Sequence, residues 1–586
     1  MTRYDGTIDG FSIHPSPAGN SGLAANKPKR LTLSTQHSAN NPALPMTIAS
    51  FLAFTLFAAF LTFMITRRDE KGSSDGFFLG GRSLTFPVIA GSLLLTNLST
   101  EQMVGLNGAA FKDGLCVMAW EVVAVIALVL MAMFFLPRFL RTGITTVPQF
   151  LENRFDKRTQ TLTNMIFLLA YAFLLIPIIL YSGAVGLSQM LDLKTLTGIT
   201  EPINFLGNQV SPDTAILWMT VFMIGIMGSL YSRFGSLKTL AVLDTINGIG
   251  LLVGGFMIAF FALNKVSDGQ GVIEGWGILK EANPERLNSI GTPETSVPFS
   301  TLFTGVALLN LFYWCTNQQI IQRTFGASSL AEGQKGVLLT GALKLLGPIY
   351  LVIPGIIAYH LFAKDGIAND QAYGTLVREV LPKPLTGFFA AVMVGAILSS
   401  FNAALNSTSA LFSIGLYHHV INPKGSEQQM VKAAKLFVVT IAIAAMFVAP
   451  LLAGQESIFA YLQDMNAIYF IPIFAVVVVG MLHPRVPSAA AFWALVLGLV
   501  MIGVKYFLPG VGPAVDKIFV YNFHYLGFTF ATLIAFMVIW GSVAPRETPW
   551  KLETSTPIDM TPWKNAKWAS LILVITVISI YVAFAQ

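Results

Sequence analysis

Charged side chains occur inside stretches of this sequence that are otherwise apolar. Lys344 is the only Lys or Arg well inside such a stretch, the run 337–362. The acids in comparable positions are Glu101, Glu121, Asp244 and Asp464, the last near the end of its stretch and therefore expected in water. A charge within a membrane is costly unless it meets a partner or a wet cavity. With the Asn, Gln and Ser residues of the same stretches, this pattern predicts a polar pocket inside a membrane protein.

The composition supports a membrane protein. The chain has 586 residues, of which 54% are hydrophobic and only 11% are charged, unlike a soluble domain. Apolar stretches of about 20 residues recur, each long enough to cross about 30 Å of hydrocarbon. Segments in which apolar and polar residues alternate over the length of a β-strand are not apparent, so we expect helices rather than a β-barrel to satisfy the backbone in lipid. The prediction is an all-α polytopic membrane protein with about 14 transmembrane helices.

The loops predict how the helices are oriented. If the first span runs from outside to inside, alternate connections hold most of the basic residues, among them Arg67, Arg68, Arg138 and Arg141. Positively charged loops face the cytoplasm. We therefore expect a multi-pass protein of the cell membrane with both termini outside. The net charge of +6 reflects this topology and does not indicate nucleic acid binding.

Two of the predicted spans are interrupted by polar residues. In the segment 96–102 only Leu98 is apolar, and the span 300–321 contains Asn310 and the run 317–319 of Asn, Gln and Gln. Such segments can line a cavity where freed carbonyls bind a cation, although hydrogen bonding between helices is an alternative. The two interruptions lie five helices apart, which is typical of an inverted repeat.

These observations predict the organisation of the chain. The predicted parts are a disordered polar tail over 1–45, a leading helix over 47–66, a first five-helix repeat over 84–263, an extracellular loop over 264–299, a second five-helix repeat over 300–482 and three C-terminal helices over 489–586. Met46, directly before the leading helix, is a candidate for the natural start.

A later span contains candidate cation ligands. Ser399, Asn402 and Asn406 follow one another at steps of three and four residues, so they share a helical face. Hydroxyls beside open carbonyls suit a hard cation such as sodium. Alternatively, these serines bond only to their own backbone. The two cysteines, Cys116 and Cys315, make neither a disulfide framework nor a zinc site.

Several separated motifs resemble one family. They are the runs 76–84, 97–102, 317–318, 322–324 and 405–408, together with Lys344 and the pair Ser399-Ser400. In these segments the sequence resembles the solute:sodium symporter family, and within it the bacterial sodium/galactose branch, relatives of sodium/glucose cotransporters. The resemblance implies the leucine-transporter-like fold, with a five-plus-five inverted repeat.

The resemblance also implies two kinds of site. Sodium would be bound by the residues Leu95, Leu98, Ala396, Ser399 and Ser400, with Asp244 at a possible second sodium site. The sugar would be bound by Gln102, Glu121, Asn310, Lys344 and Gln463. Tyr313 would be the inner gate, backed by Trp314, with Phe459 on the outer side and Asn97 linking the pocket to the gate. As an alternative role, Glu121 and Lys344 neutralise one another.

The sequence departs from the galactose pattern in the pocket. Trp120 stands where the relatives have Tyr, and Ala124 where they have Ser. The expected function is therefore sodium-coupled import of a small polar solute by alternating access, with a monosaccharide such as galactose or glucose as the favoured substrate. The alternatives are an acidic sugar, a polyol or a small carboxylate, or a transporter-like membrane sensor. An enzyme is not predicted, because a nucleophile–base pair or metal cluster is not apparent.

Overall fold

The computed structural model describes residues 43–69, 73–205, 207–453, 458–555 and 557–586, and these belong to one compact unit. The predicted disordered tail lies outside the described residues except for its last three positions. Those three are helical, because the first helix begins at Ala43 rather than after residue 46.

Helices make up nearly all of the described chain. The first eight main helices are α1 (Ala43–Thr66), α2 (Phe86–Asn97), α3 (Thr100–Asp113), α4 (Ala119–Leu130), α5 (Lys157–Ala170), α6 (Ile176–Leu191), α7 (Pro212–Phe234) and α8 (Leu237–Val266). The others are α9 (Gly305–Cys315), α10 (Gln318–Phe325), α11 (Leu330–Lys344), α12 (Ile353–Phe362), α13 (Lys383–Ala410), α14 (Glu427–Val448), α15 (Ile458–Leu482), α16 (Ser488–Phe507), α17 (Asn522–Val543) and α18 (Ala566–Ala583).

Shorter elements connect them. The shorter α-helices are Ser74–Phe78, Leu136–Thr142, Val147–Arg154, Leu193–Thr197, Val272–Ala282, Ala372–Val380 and Val511–Phe519. Strands Ile203–Phe205 and Asn208–Val210 pair antiparallel in the connection before α7. This small hairpin is too short to affect the predicted all-helical class.

Among the described residues, 11 helices are long and apolar enough to cross a membrane, or up to 12 if the pair Leu330–Lys344 and Pro348–Asp365, bent by 46°, is one span. The multi-pass helical prediction is confirmed, whereas the count of 14 remains a prediction. Counting is difficult because α2 and α9 are short apolar helices that end at breaks.

Both predicted interruptions are present. Helix α2 ends at Asn97 and α3 begins at Thr100, with Ser99 in an extended conformation between them. Helix α9 ends at Cys315 and α10 begins at Gln318. At the first break, the carbonyl of Thr96 accepts a hydrogen bond from the Ser400 hydroxyl at 2.9 Å. A side chain thus replaces part of the lost helical hydrogen bonding, as a buried backbone requires.

Asp464, which we expected in water, is partly exposed and lines an open pocket with Lys505 and Tyr506. It lies half-buried in α15, where it accepts hydrogen bonds from the Tyr506 hydroxyl at 3.0 Å and the Asn522 amide at 2.8 Å. Helices α16 and α17 pack against α15 and bring these partners from distant positions in the sequence. Asp464 is therefore partly solvated and is also held by two protein partners.

A buried arginine holds the end of α15. Arg154 is fully buried, and its guanidinium donates to the carbonyls of Gly480 at 2.7 Å and His483 at 2.6 Å. Burial lowers the pKa of Arg154 to about 10, which leaves it charged at neutral pH. It thereby satisfies carbonyls at a helix C-terminus that otherwise lack partners.

We expect Arg154→Ala to lower the free energy of unfolding by about 2 kcal/mol or more, because charge-assisted hydrogen bonds to buried carbonyls are lost. The measurement is thermal unfolding of the purified protein in detergent. Arg158→Ala, at an exposed position in α5, is the matched control. An equal melting temperature for both variants would contradict this role.

Candidate solute cavity and cation site

A polar cavity of about 60 Å³ lies where the two broken helices meet α15. Its lining comprises Asn97, Glu101, Gln102, Trp120, Leu175, Leu309, Asn310, Tyr313, Trp314, Asn317, Gln319, Phe459, Leu462, Gln463, Asn466 and Phe470. Small-molecule sites typically have volumes of about 300–1,000 Å³. The lining helices therefore have to separate before a solute of sugar size can fit.

Most of the predicted solute-binding and gate residues line this one cavity. They are Asn97, Gln102, Asn310, Tyr313, Trp314, Phe459 and Gln463. Glu121 and Lys344 do not line it; both are fully buried directly behind the lining. The structure thus brings all nine predicted residues together but divides them into a lining and a support.

The support is an ion pair. The Lys344 ammonium lies 2.7 Å from the Glu121 carboxylate. Each partner also holds a lining residue: Lys344 donates to Asn97 Oδ1 at 2.5 Å, and Glu121 accepts from Gln102 Nε2 at 2.8 Å. The ammonium lies 5.1 Å from the centre of the Trp314 ring. The alternative of mutual neutralisation therefore describes the geometry found.

The second break is also fixed by a side chain. The Tyr171 hydroxyl donates to Asn317 Oδ1 and accepts from the backbone N–H of Gln319 at 3.1 Å. Gln319 in turn donates to the carbonyl of Ser400 at 3.2 Å, which connects this break to α13. Tyr313 contacts Asn97, so the predicted gate residue touches the predicted linking residue.

The predicted sodium ligands converge where the end of α2 meets α13. Leu95, Leu98 and Ala396 are fully buried there, and Ser400 contacts Thr96 as described above. The hydroxyls of Thr96 and Ser399 are buried; that of Thr96 has no hydrogen-bond partner among the described residues, and that of Ser399 faces the Asp244 carboxylate. Buried hydroxyl oxygens beside a broken helix fit a hard cation that prefers oxygen ligands. The assignment of each ligand stays a prediction.

Asp244 lies close to this junction but already has a cationic partner. Its carboxylate accepts from the Ser92 hydroxyl at 2.7 Å and lies 3.4 Å from the Arg323 guanidinium. Arg323 is fully buried as well, although it lies just beyond the end of its predicted span, 300–321. The sequence did not indicate this, because Arg323 follows the break in the short helix α10. A second sodium at Asp244 stays a prediction, and it would have to compete with Arg323.

Four further lining residues were not among the predicted site residues: Glu101, Asn317, Gln319 and Asn466. The first three belong to the polar segments that were expected to line a cavity, although no role was assigned to them. Asn466 lies three residues after Gln463 in α15, a spacing that places both on one helical face.

Broken helices around a buried polar cavity, with cation-binding oxygens at the first break, are features of secondary transporters. The family model described as "Sodium:solute symporter family" matches residues 77–203 and 214–498, and the chain belongs to this family.

Several proteins of similar sequence are described as symporters or sodium cotransporters. A protein of Escherichia coli described as "Uncharacterized symporter YidK" is 42% identical over 92% of this chain and 91% of its own length. The sodium/glucose cotransporter of Vibrio parahaemolyticus is 30% identical over 80% of this chain and 87% of its own length. Sodium/myo-inositol cotransporter 2 of Oryctolagus cuniculus is 26% identical over 83% of this chain and 74% of its own length.

A solved structure of a Na+-coupled sialic acid symporter in a substrate-bound, outward-open state matches 88% of this chain and all of its own, with a TM-score of 0.69 and 18% identity. The chain therefore shares the leucine-transporter-like fold of sodium symporters. It is a sodium-coupled membrane transporter rather than an enzyme, as the sequence predicted.

We expect Lys344→Ala to abolish sodium-driven solute uptake, because Asn97 loses its donor and Glu121 becomes an unpaired buried charge. Breaking a buried pair costs about 3–5 kcal/mol, so the melting temperature should fall as well. Uptake into proteoliposomes and thermal unfolding measure the two effects.

The double variant Lys344→Ala with Glu121→Gln separates the two effects, since it removes the unpaired charge. It should recover part of the lost stability without recovering uptake. Restored uptake in the double variant would show that the pair is only structural.

We expect Ser400→Ala to raise the sodium concentration for half-maximal uptake by about fivefold to tenfold, the effect of losing one hydrogen-bonding oxygen. The solute KM at saturating sodium should change less. Ser409→Ala is the control, because the Ser409 hydroxyl bonds to the carbonyl of Asn406 in its own helix. Sodium dependence equal to that of the parent would remove Ser400 from the cation site.

Proposed function

We propose that this protein imports a neutral, polyhydroxylated ring solute with sodium, and that the substrate is a monosaccharide such as galactose or glucose. The relative from Vibrio parahaemolyticus is described as a sodium/glucose cotransporter, which supports this class. We further propose the cell membrane as its location, with both termini outside and the basic loops that contain Arg67 and Arg141 facing the cytoplasm.

The observation that carries the proposal is the ion pair behind the cavity. Because Lys344 is paired with Glu121, it is not available to a substrate carboxylate. The acid that lines the cavity, Glu101, would repel an anion. In the described part of the chain, no Lys or Arg lines the cavity to offset that repulsion. A neutral solute therefore suits this cavity better than an acidic sugar or a small carboxylate.

The amides of the lining favour hydroxyl groups. Gln102, Asn310 and Gln319 each donate to protein partners, which leaves their amide oxygens as acceptors. Asn466 accepts from Tyr469, which leaves its NH₂ group as a donor. A hydroxyl both donates and accepts, so a ring with several hydroxyls can satisfy both kinds of atom. A solute without them would leave these polar atoms unpaired, at a cost in affinity.

Apolar faces complete the cavity. Trp120 and Phe459 pack edge to face with ring centres 5.7 Å apart, and Tyr313 lies on α9 among the polar lining residues. Trp120, which replaces the Tyr of the galactose pattern, lies in this wall, whereas Ala124, which replaces a Ser, is fully buried and does not line the cavity. We therefore propose that Trp120 decides which ring solute is preferred.

The proposed mechanism is alternating access. Sodium binding where α2 meets α13 would hold these helices together and favour the outward-facing form; solute binding would then allow the outer side to close. One charge moving through about 100 mV supplies about 2.3 kcal/mol, and a tenfold sodium gradient adds about 1.4 kcal/mol. Together they would support accumulation of a neutral solute by a few hundredfold.

A polyol is the second candidate, because several relatives are described as sodium/myo-inositol cotransporters. The test is uptake of labelled galactose, glucose, myo-inositol and a hexuronate into proteoliposomes. An inward sodium gradient is compared with an equal potassium gradient.

Sodium-dependent accumulation of a neutral solute is the expected result. Sodium-driven uptake of the hexuronate alone would overturn the neutral-solute proposal, and uptake of myo-inositol alone would replace the monosaccharide by the polyol.

A further inference from the structure

The charges around the cavity do not balance. Three acids lie there or directly behind it, Glu101, Glu121 and Asp244, against two bases, Lys344 and Arg323. Glu121 pairs with Lys344, and Asp244 pairs with Arg323. In the described part of the chain, Glu101 forms no ion pair with any Lys, Arg or His. One negative charge is left over, and a charge within a membrane needs a compensating partner.

Oxygen atoms surround this carboxylate. The Ser182 hydroxyl of α6 lies 3.5 Å from Glu101 Oε2, which is a long contact. The Ser99 hydroxyl also faces Glu101. Ser99 is fully buried, and among the described residues its hydroxyl has no hydrogen-bond partner other than this carboxylate. Glu101 is in the first turn of α3, where the helix dipole stabilises a carboxylate but does not neutralise it.

We infer that Glu101, Ser99 and Ser182 form a sodium site in the cavity wall. A monovalent cation would supply the one missing positive charge, and a carboxylate with two hydroxyls offers the oxygen ligands that a hard cation prefers. This site differs from the one where α2 meets α13, whose hydroxyl donors come from Ser399 and Ser400. It depends on sodium coupling alone, not on which solute is carried.

The position of the site gives it a role in transport. Glu101 lines the same cavity as Gln102 and Tyr313, so an ion here would lie beside the solute. The negative charge would draw sodium into the cavity, and one bound ion would only neutralise Glu101, leaving no surplus positive charge for a substrate carboxylate. Sodium bound here would also reduce the repulsion between Glu101 and any partial negative charge of the solute.

The test is equilibrium binding of radioactive ²²Na+ to the purified full-length protein at pH 8.5, without any solute. We expect Glu101→Gln to lower the number of sodium ions bound at saturation by one, with the remaining ion still bound where α2 meets α13. Glu281→Gln, an exposed acid in the helix Val272–Ala282, should bind as many ions as the parent.

An unchanged number of ions in Glu101→Gln would overturn the inference. A weaker affinity with an unchanged number would also overturn it, because Glu101 would then act only through its electric field on another site. If Glu101→Gln does not fold, Ser182→Ala carries the test: weaker binding of one ion is expected, and sodium binding equal to the parent overturns the site. Because no solute is present, failure of the monosaccharide proposal would not affect this result.

Discussion

The ion pair between Glu121 and Lys344 holds the cavity in its shape. It connects α4 to α11, and each partner orients an amide on either side of the first break, Gln102 and Asn97. Moving two charges out of water is costly, and apolar residues of similar volume often stabilise a protein equally well. Here the pair fixes the orientation of two side-chain amides, those of Gln102 and Asn97, because each is held by a charged partner.

The first break lies between the proposed cation site and the solute cavity. Its residues supply the carbonyl that Ser400 contacts and the amide that Lys344 holds. The second break reaches the same place, because Gln319 donates to the carbonyl of Ser400. If the proposed sites hold, a cation at α13 and a solute in the cavity would share one segment of backbone. Coupling between two ligands requires such an element that both of them bias.

The C-terminal helix α17 contacts the helices around the cavity. The first residues of α17 contact three elements that contribute to the cavity. Phe523 lies 5.8 Å from the ring of Trp120, which lines the cavity, while Asn522 bonds to Asp464 of α15 and His524 bonds to Thr304 just before α9. Movement of α15 or α9 thus has to involve α17. The division into a repeated core and three separate C-terminal helices, which remains a prediction, does not by itself show these contacts.

Much of the site was predictable because polar residues in a lipid-spanning segment are costly and therefore conspicuous. The segments 96–102 and 317–319 indicated both breaks, and the motifs around them indicated the family. The partners of Asp464 and the burial of Arg323 were not predicted, because they depend on which helices pack against a residue, and linear position in a span does not give that. Glu101 was noticed as an intramembrane acid in a segment expected to line a cavity, but no role was assigned to it.

The sequence by itself determined the helical membrane class, the broken spans and the set of polar residues that had to meet, since hydrophobicity and local polarity are properties of the chain. The tertiary structure decided how the charges pair. The sequence named four intramembrane acids and offered the pair of Glu121 with Lys344 only as an alternative. The packing of α4 against α11 brings these two together, while Glu101 has no cationic partner among the described residues. Pairing depends on distances of a few ångströms between helices far apart in sequence, and Coulomb energies at such distances are large in a low-dielectric interior.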